Sequence, residues 1–169
     1  MFIVVGHALE HILQTTQVFA LGWPRPEAGG LLGFWLPELV TSEALHFTYN
    51  FMQLLGLVLL RQGFSGRAKK AWTAAMLFQS WHFFEHFLLQ MQWLTGHFLF
   101  EKARQTSIGE LLLPRVELHF IYVSVVTMFT VLALIWHFRT LAKDGIRGDL
   151  LFSGSGRQAK TQASKNETS

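Results

Sequence analysis

Cysteine is absent from this chain of 169 residues. Disulfides, thiolate metal sites and iron–sulfur clusters are therefore excluded. Charge is scarce as well, with Asp, Glu, Lys and Arg together at 15% of the residues, too few to clothe a soluble surface in the ordinary way. No phosphate-cradling glycine loop, dinucleotide fingerprint or nucleophile constellation occurs. The formal charge of +3 does not point to nucleic acid. The basic residues gather in one short segment and in the C-terminal tail, and no basic face with interleaved aromatics appears.

What is abundant is apolar. Hydrophobic residues make up 50% of the chain, with 16 Phe and 6 Trp, and the mean hydropathy is +0.29. Four apolar segments stand out, roughly 2–22, 40–60, 71–98 and 114–138. Each is near or above the ~20 residues that a helix needs to cross a hydrocarbon core of ~30 Å. The expected fold is thus all-α, a polytopic membrane bundle of four transmembrane helices over 1–140, followed by a polar and disordered tail over 141–169. The first segment has no basic n-region and no small-residue cleavage site after it, so it reads as a retained helix. Arg61, Arg67, Lys69 and Lys70 lie between the second and third segments, and six more basic residues follow Trp136. The opposite side holds Arg25, Lys102, Arg104 and Arg115. Ten against four places both termini in the cytoplasm of a bacterial-type cell membrane. The lipid bilayer is the first expected partner, with further membrane subunits or a second copy of the chain as others.

Within these segments two stretches read alike. "HALEHILQTTQ" starts at His7 and "HFFEHFLLQMQ" starts at His82, so His7, Glu10, His11 and Gln17 match His82, Glu85, His86 and Gln92 at an offset of 75. Further on, "LHFTY" at 45–49 matches "LHFIY" at 118–122 at an offset of 73. Two matches in the same order point to tandem helix hairpins, repeat 1 over about 2–62 and repeat 2 over about 70–138, in the same orientation.

At 100° per residue the polar residues of each segment fall on one face. His7, Glu10, His11 and Gln14 share a face of the first helix, and Gln79, His82, Glu85 and His86 share one on the third. Glu43, His46, Tyr49, Asn50 and Gln53 form a stripe on the second, and His119 and Tyr122 lie together on the fourth. Glu117 points away from His119, and Arg115, one turn before it, is the candidate counter-charge. The imidazoles of all four helices reach one broad layer in the outer half of the membrane. An ionisable residue at the bilayer centre costs roughly 2.5–3.5 kcal/mol even on the lenient insertion scale. Neutral imidazoles and ionised carboxylates gathered around a cation offset that cost together. The candidate metal ligands are accordingly His7, Glu10, His11, Glu43, His46, His82, Glu85, His86 and His119. They suit a mono- or dinuclear centre of iron, zinc, copper(II) or manganese, possessed of redox or oxygen-linked chemistry in its fuller form. Glu43 and His46, at i and i+3, resemble the Glu-x-x-His motif of ferritin-like di-iron carboxylate bundles, which implies ligands aimed inward from four helices.

Two other function classes use the same residues. A b-type haem between His46 and His119 makes an electron-transfer subunit. A polar core without a resident ion makes a non-catalytic or transport subunit of a larger membrane complex. His97 and His137 sit at segment ends and read as interfacial, and Gln17, Gln90 and Gln92 read as interhelical polar contacts.

Overall fold

The structure is a computed structural model that describes the backbone of residues 2–166 and, within it, the side chains of 5–38 and 40–143. Helix accounts for 82% of the chain and no strand occurs among the described residues, which makes it all-α. Four long helices carry the fold: α1 (Phe2–Phe19), α4 (Glu43–Leu60), α5 (Gly66–Thr95) and α6 (Arg115–Asn166). Two short ones, α2 (Gly30–Trp35) and α3 (Pro37–Val40), lie in the connection between α1 and α4. Past Lys143 the expected polar tail falls outside the residues whose side chains are described.

Local chemistry sets the boundaries. Ser42 precedes α4 in an extended conformation and its hydroxyl accepts from the Leu45 N–H at 3.3 Å, an N-cap. α5 stops at Gly96, whose φ of 68° is the left-handed C-terminal conformation that glycine adopts without a Cβ penalty. Pro37 opens α3 and Pro114 immediately precedes α6, where a missing N–H costs nothing. The basic stretch 61–70, expected as a loop, is in large part helical: α5 begins at Gly66, so Arg67, Lys69 and Lys70 ride on its first turns. Lys and Arg are good helix formers and reach solvent on long stems.

α5 packs against both α4 and α6, and α1 packs against α6 and α2. The interior has two zones. Around the 61–75 end it is apolar, built from Leu57, Phe64, Ala68, Ala71, Trp72, Ala75, Val126 and Ala133. Ala68, Ala71 and Ala75 recur at helical spacing, letting backbones approach closely, and Phe64 stacks on Trp72 with ring centroids 4.1 Å apart. The indole N–H of Trp72 donates to the Leu57 carbonyl at 2.7 Å. Toward the opposite end the interior turns polar. Gln79 crosses to α4, its amide donating to Asn50 Oδ1 at 2.8 Å. Beyond that pair lie the histidines.

The outward faces are apolar. Leu9, Ile12 and Leu13 on α1, Phe51, Met52 and Leu59 on α4, Leu77, Trp81 and Leu94 on α5, and Met128, Val131 and Phe138 on α6 are all exposed. One helix, α6 over Arg115–Lys143, is by itself long and apolar enough to cross a membrane. α1, α4 and α5 fall below that measure because His, Glu, Asn and Gln occupy the faces they turn toward one another.

Candidate metal centre

Each histidine of the interior comes from a helix face that the i, i+3, i+4 spacing already defined. On α5, His82 and His86 are buried, and their Nε2 atoms are 3.2 Å apart. From α6, His119 brings its Nε2 to 3.0 Å from that of His86. These three rings offer nitrogens that all lie within 4.8 Å of one another. On α1 the matching pair, His7 and His11, repeats the contact, again 3.2 Å between Nε2 atoms. The rings of His11 and His119 are 5.5 Å apart, and those of His46 and His86 are 5.6 Å apart. Six histidines from four helices therefore form one continuous cluster.

Hydrogen bonds fix the tautomers of half of them. His119 donates from Nδ1 to the Arg115 carbonyl at 2.8 Å, and His46 does the same to the Ser42 carbonyl at 2.9 Å. Both acceptors are four residues earlier on the same chain. His11 donates from Nδ1 to Gln14 Oε1 at 2.8 Å. A carbonyl oxygen only accepts, so in the neutral rings Nδ1 carries the proton and Nε2 is a bare lone pair. This limits what the His82–His86–His119 contacts are. His86 Nε2 holds either one proton or one lone pair, and two other Nε2 atoms face it. Among neutral rings, only one of the two contacts can be a hydrogen bond. The Nδ1 atoms of His82 and His86 are buried and have no hydrogen-bond partner, so these rings have little polar company beyond each other.

The carboxylates are placed differently from the expectation. Glu10 lines a pocket with His7, His11 and His46, but its Oε1 is spent on the Leu32 N–H at 2.5 Å. Glu85, at the matching position, accepts the Gly109 N–H at 2.6 Å. Gln17 and Gln92 act on the same loops. Gln17 accepts the Gly30 N–H at 2.8 Å, and Gln92 accepts those of Leu99 at 2.9 Å and Thr106 at 3.2 Å. In both stretches the histidines point into the helix cluster while the glutamate and glutamine latch the connection that follows. Glu43 is buried and ion-paired with Arg115 at 2.5 Å, and Arg115 also binds Glu110. Arg115 is thus a counter-charge, as its position one turn from His119 suggested. Glu110 escaped notice because it precedes Pro114, where no helical register exists to read.

A cavity of about 90 Å³ lies beside the cluster, lined by His11, Glu43, His46, His86, Arg115 and His119. The Glu43–Arg115 ion pair lines it together with the histidine rings. No protein-family model matches this sequence, and no curated protein or solved structure is significantly similar to it. The site must therefore be read from its own atoms. His97 lies exposed past the end of α5, and half-buried His137 packs its ring 4.9 Å from that of Phe64, far along α6 from His119. Neither joins the cluster.

Proposed function

We propose that this chain is an integral membrane protein of four transmembrane helices, arranged as two tandem hairpins, that holds a transition-metal ion on His82, His86 and His119. The two Nε2 separations around His86 carry the reading, with ligand nitrogens of all three rings within 4.8 Å of one another. Nitrogens bound to one ion at about 2.0–2.1 Å are about 2.9 Å apart at right angles and about 3.3 Å apart at the tetrahedral angle. The observed separations around His86 are 3.0 and 3.2 Å, the length of a coordination edge. A cation that takes the lone pairs replaces contacts that cannot all be hydrogen bonds. His11 and His46 stand next in line as ligands, and His7 lies behind His11. With Glu10, Glu85 and Glu43 engaged elsewhere, the donor set is nitrogen, which favours zinc, copper(II) or iron(II) over manganese. Iron or copper would bring redox chemistry with it.

The membrane part rests on an inverted distribution of polarity. Among the described residues, 13 buried side chains are polar or charged and 12 are apolar, while large apolar side chains cover the outside. In water both halves of that arrangement are unfavourable, whereas hydrocarbon removes the penalty on the outside. Trp23, Trp35 and Trp93 are exposed near the loop end of the helices, where an aromatic belt sits. The basic residues at 61–70 and after Trp136 put that other end, with both termini, in the cytoplasm.

The haem reading loses support. The His46 and His119 rings are 6.3 Å apart, and the His86 ring stands beside that gap, 5.6 Å from the first and 4.9 Å from the second, where it would meet a macrocycle held between them. The adjoining cavity of about 90 Å³ suits an ion with its waters, whereas organic ligand sites run to ~300 Å³ and more. Elemental analysis of detergent-purified protein, kept from chelators throughout, tests the proposal. About one ion per chain is expected, lost in His86→Ala and kept in His97→Ala, by the single-centre geometry. No stoichiometric metal, or equal loss in both variants, would overturn it.

A further inference from the structure

The two hairpins differ at one position beside the cluster. Trp81 immediately precedes His82, and at the offset of 75 its counterpart is Gly6, immediately before His7. In the second hairpin the Trp81 indole donates to the Tyr122 hydroxyl at 2.9 Å, closing the seam between α5 and α6. His82 beneath it is 1% exposed. In the first hairpin the matching tyrosine, Tyr49, stacks on His7 with centroids 4.4 Å apart, as Tyr122 stacks on His82 at 4.7 Å. There is no indole above it. A Cβ built on Gly6 would meet nothing within 4 Å. His7 and His46 are half-buried, where their counterparts His82 and His119 are buried.

The space left open is a pocket of about 250 Å³ between α1 and α4. Gly6, Leu32, Val40, Leu45 and Tyr49 form its apolar walls, His7, His11 and His46 line it as well, and Glu10 and Gln14 complete the lining, their side chains hydrogen-bonded to the Leu32 N–H and to His11. From it the His46 and His11 rings lead to His86 and His119 at the distances given above. We infer that this pocket admits a small, uncharged, lipid-soluble molecule with a ring hydroxyl, which passes sideways from the hydrocarbon to the histidine cluster. The apolar walls, together with a Glu10 carboxylate already bonded to the Leu32 N–H that would repel an anion, favour an uncharged, lipid-soluble guest. About 250 Å³ holds one substituted ring, and less than the ~300–1,000 Å³ of larger organic ligands. His46 sets the hydrogen-bonding sense. Its Nδ1–H is spent on the Ser42 carbonyl, so its Nε2 accepts and the guest donates. The inference rests on the membrane reading for the source of the guest, and does not need the metal.

Photolabelling of the full chain in phosphatidylcholine vesicles tests it, with a diazirine-bearing phenol as probe and 4-methylphenol as competitor. Adducts should map to α1 around Gly6–Gln14 and α4 around Leu45–Tyr49, and excess competitor should remove them. Gly6→Trp copies the closed hairpin and should cut those adducts about tenfold, the loss of roughly 1.4 kcal/mol of binding. Gly6→Leu is the smaller plug should the indole prevent folding. Trp81→Gly is the converse, and should create new adducts around His82 and Tyr122. Adducts scattered over the outward Leu and Phe faces, resistant to competitor, would refute the pocket. So would α1 and α4 adducts that neither Gly6 substitution changes. Metal content of the same samples separates the two proposals. Specific labelling without a stoichiometric ion upholds the pocket and sinks the metal centre, and an ion with scattered labelling does the reverse.

Discussion

Gln92→Leu isolates the latch from the site it covers. Gln92 is 3% exposed and makes three bonds to the loop between α5 and α6: it accepts from the Leu99 and Thr106 N–H groups and donates to the Thr106 carbonyl at 3.0 Å. Leucine keeps most of the volume and removes all three. A side-chain hydrogen bond inside a membrane protein is worth about 0.6 kcal/mol on average and up to about 1.7. Three such bonds bracket the loss between about 2 and 5 kcal/mol by that scale. Leu99 is exposed, so water can take over its N–H, whereas Thr106 is buried. The expected loss is therefore toward the lower end, about 2–3 kcal/mol, since only the buried groups bear the full cost of lost partners. Reversible unfolding in mixed micelles measures it, and amide hydrogen exchange over 97–108 should accelerate with it. Gln90 is the control: its Oε1 is buried with no partner, so Gln90→Leu should be neutral or stabilising. If Gln90→Leu costs as much as Gln92→Leu, or exchange over 97–108 stays unchanged, the latch is not what holds this loop.

Arg115→Met should destabilise by about 3–5 kcal/mol because it strands the buried Glu43 carboxylate, and adding Glu43→Gln should recover much of that; a double variant no better than the single would show that the pair is not coupled. Gly30→Ala should cost about 1–3 kcal/mol, since Gly30 has a φ of 71° and a Cβ there runs into the Glu10 carboxylate. Gly22→Ala, with a φ of 70° but open space around it, should lose only the backbone part, about 1 kcal/mol; thermal unfolding of the two variants decides. The chain has no cysteine, so single substitutions report topology cleanly. Glu27→Cys should react with a membrane-impermeant maleimide on intact cells and Ser65→Cys should react only after lysis; the opposite pattern would reverse the orientation.

Much of the histidine cluster was legible because it depends on helical period alone. The i, i+4 pairs His7/His11 and His82/His86, and the placement of His119 one turn after Arg115, need only 100° per residue and an apolar background. The glutamates misled for a reason in the same arithmetic. In His-x-x-Glu-His the carboxylate lies about 80° round from the mean direction of the two rings. That is a flank, and a flanking side chain near a helix end can reach a neighbouring loop as readily as a ligand cluster. What decided it was the unpaired N–H groups at Leu32 and Gly109, which belong to loops with no period to read. The short helices α2 and α3 were missed on the same account, being shorter than the windows in which periodicity shows. The extra turns of α5 before residue 71 were hidden by their charge, which ends an apolar run but does not end a helix.

The latches also bear on time. Residues 30–32 and 99–109 are fastened by Glu10, Gln17, Glu85 and Gln92, and the two connections meet, since Arg25 of the first pairs with Glu117 at the start of α6. On the proposed metal reading, an ion held among the histidines would sit beneath both. Its escape toward that end requires several bonds to open together, and the opposite end is plugged by Trp72 and its apolar neighbours. Exchange of such an ion would then be slow compared with binding, and the ion carried would be the one that was at hand when the chain folded. Copper outbids iron and zinc at equilibrium in a nitrogen site. A chain that closes around its ion need not obey that order, so metal supply during synthesis, more than affinity, would govern what it carries.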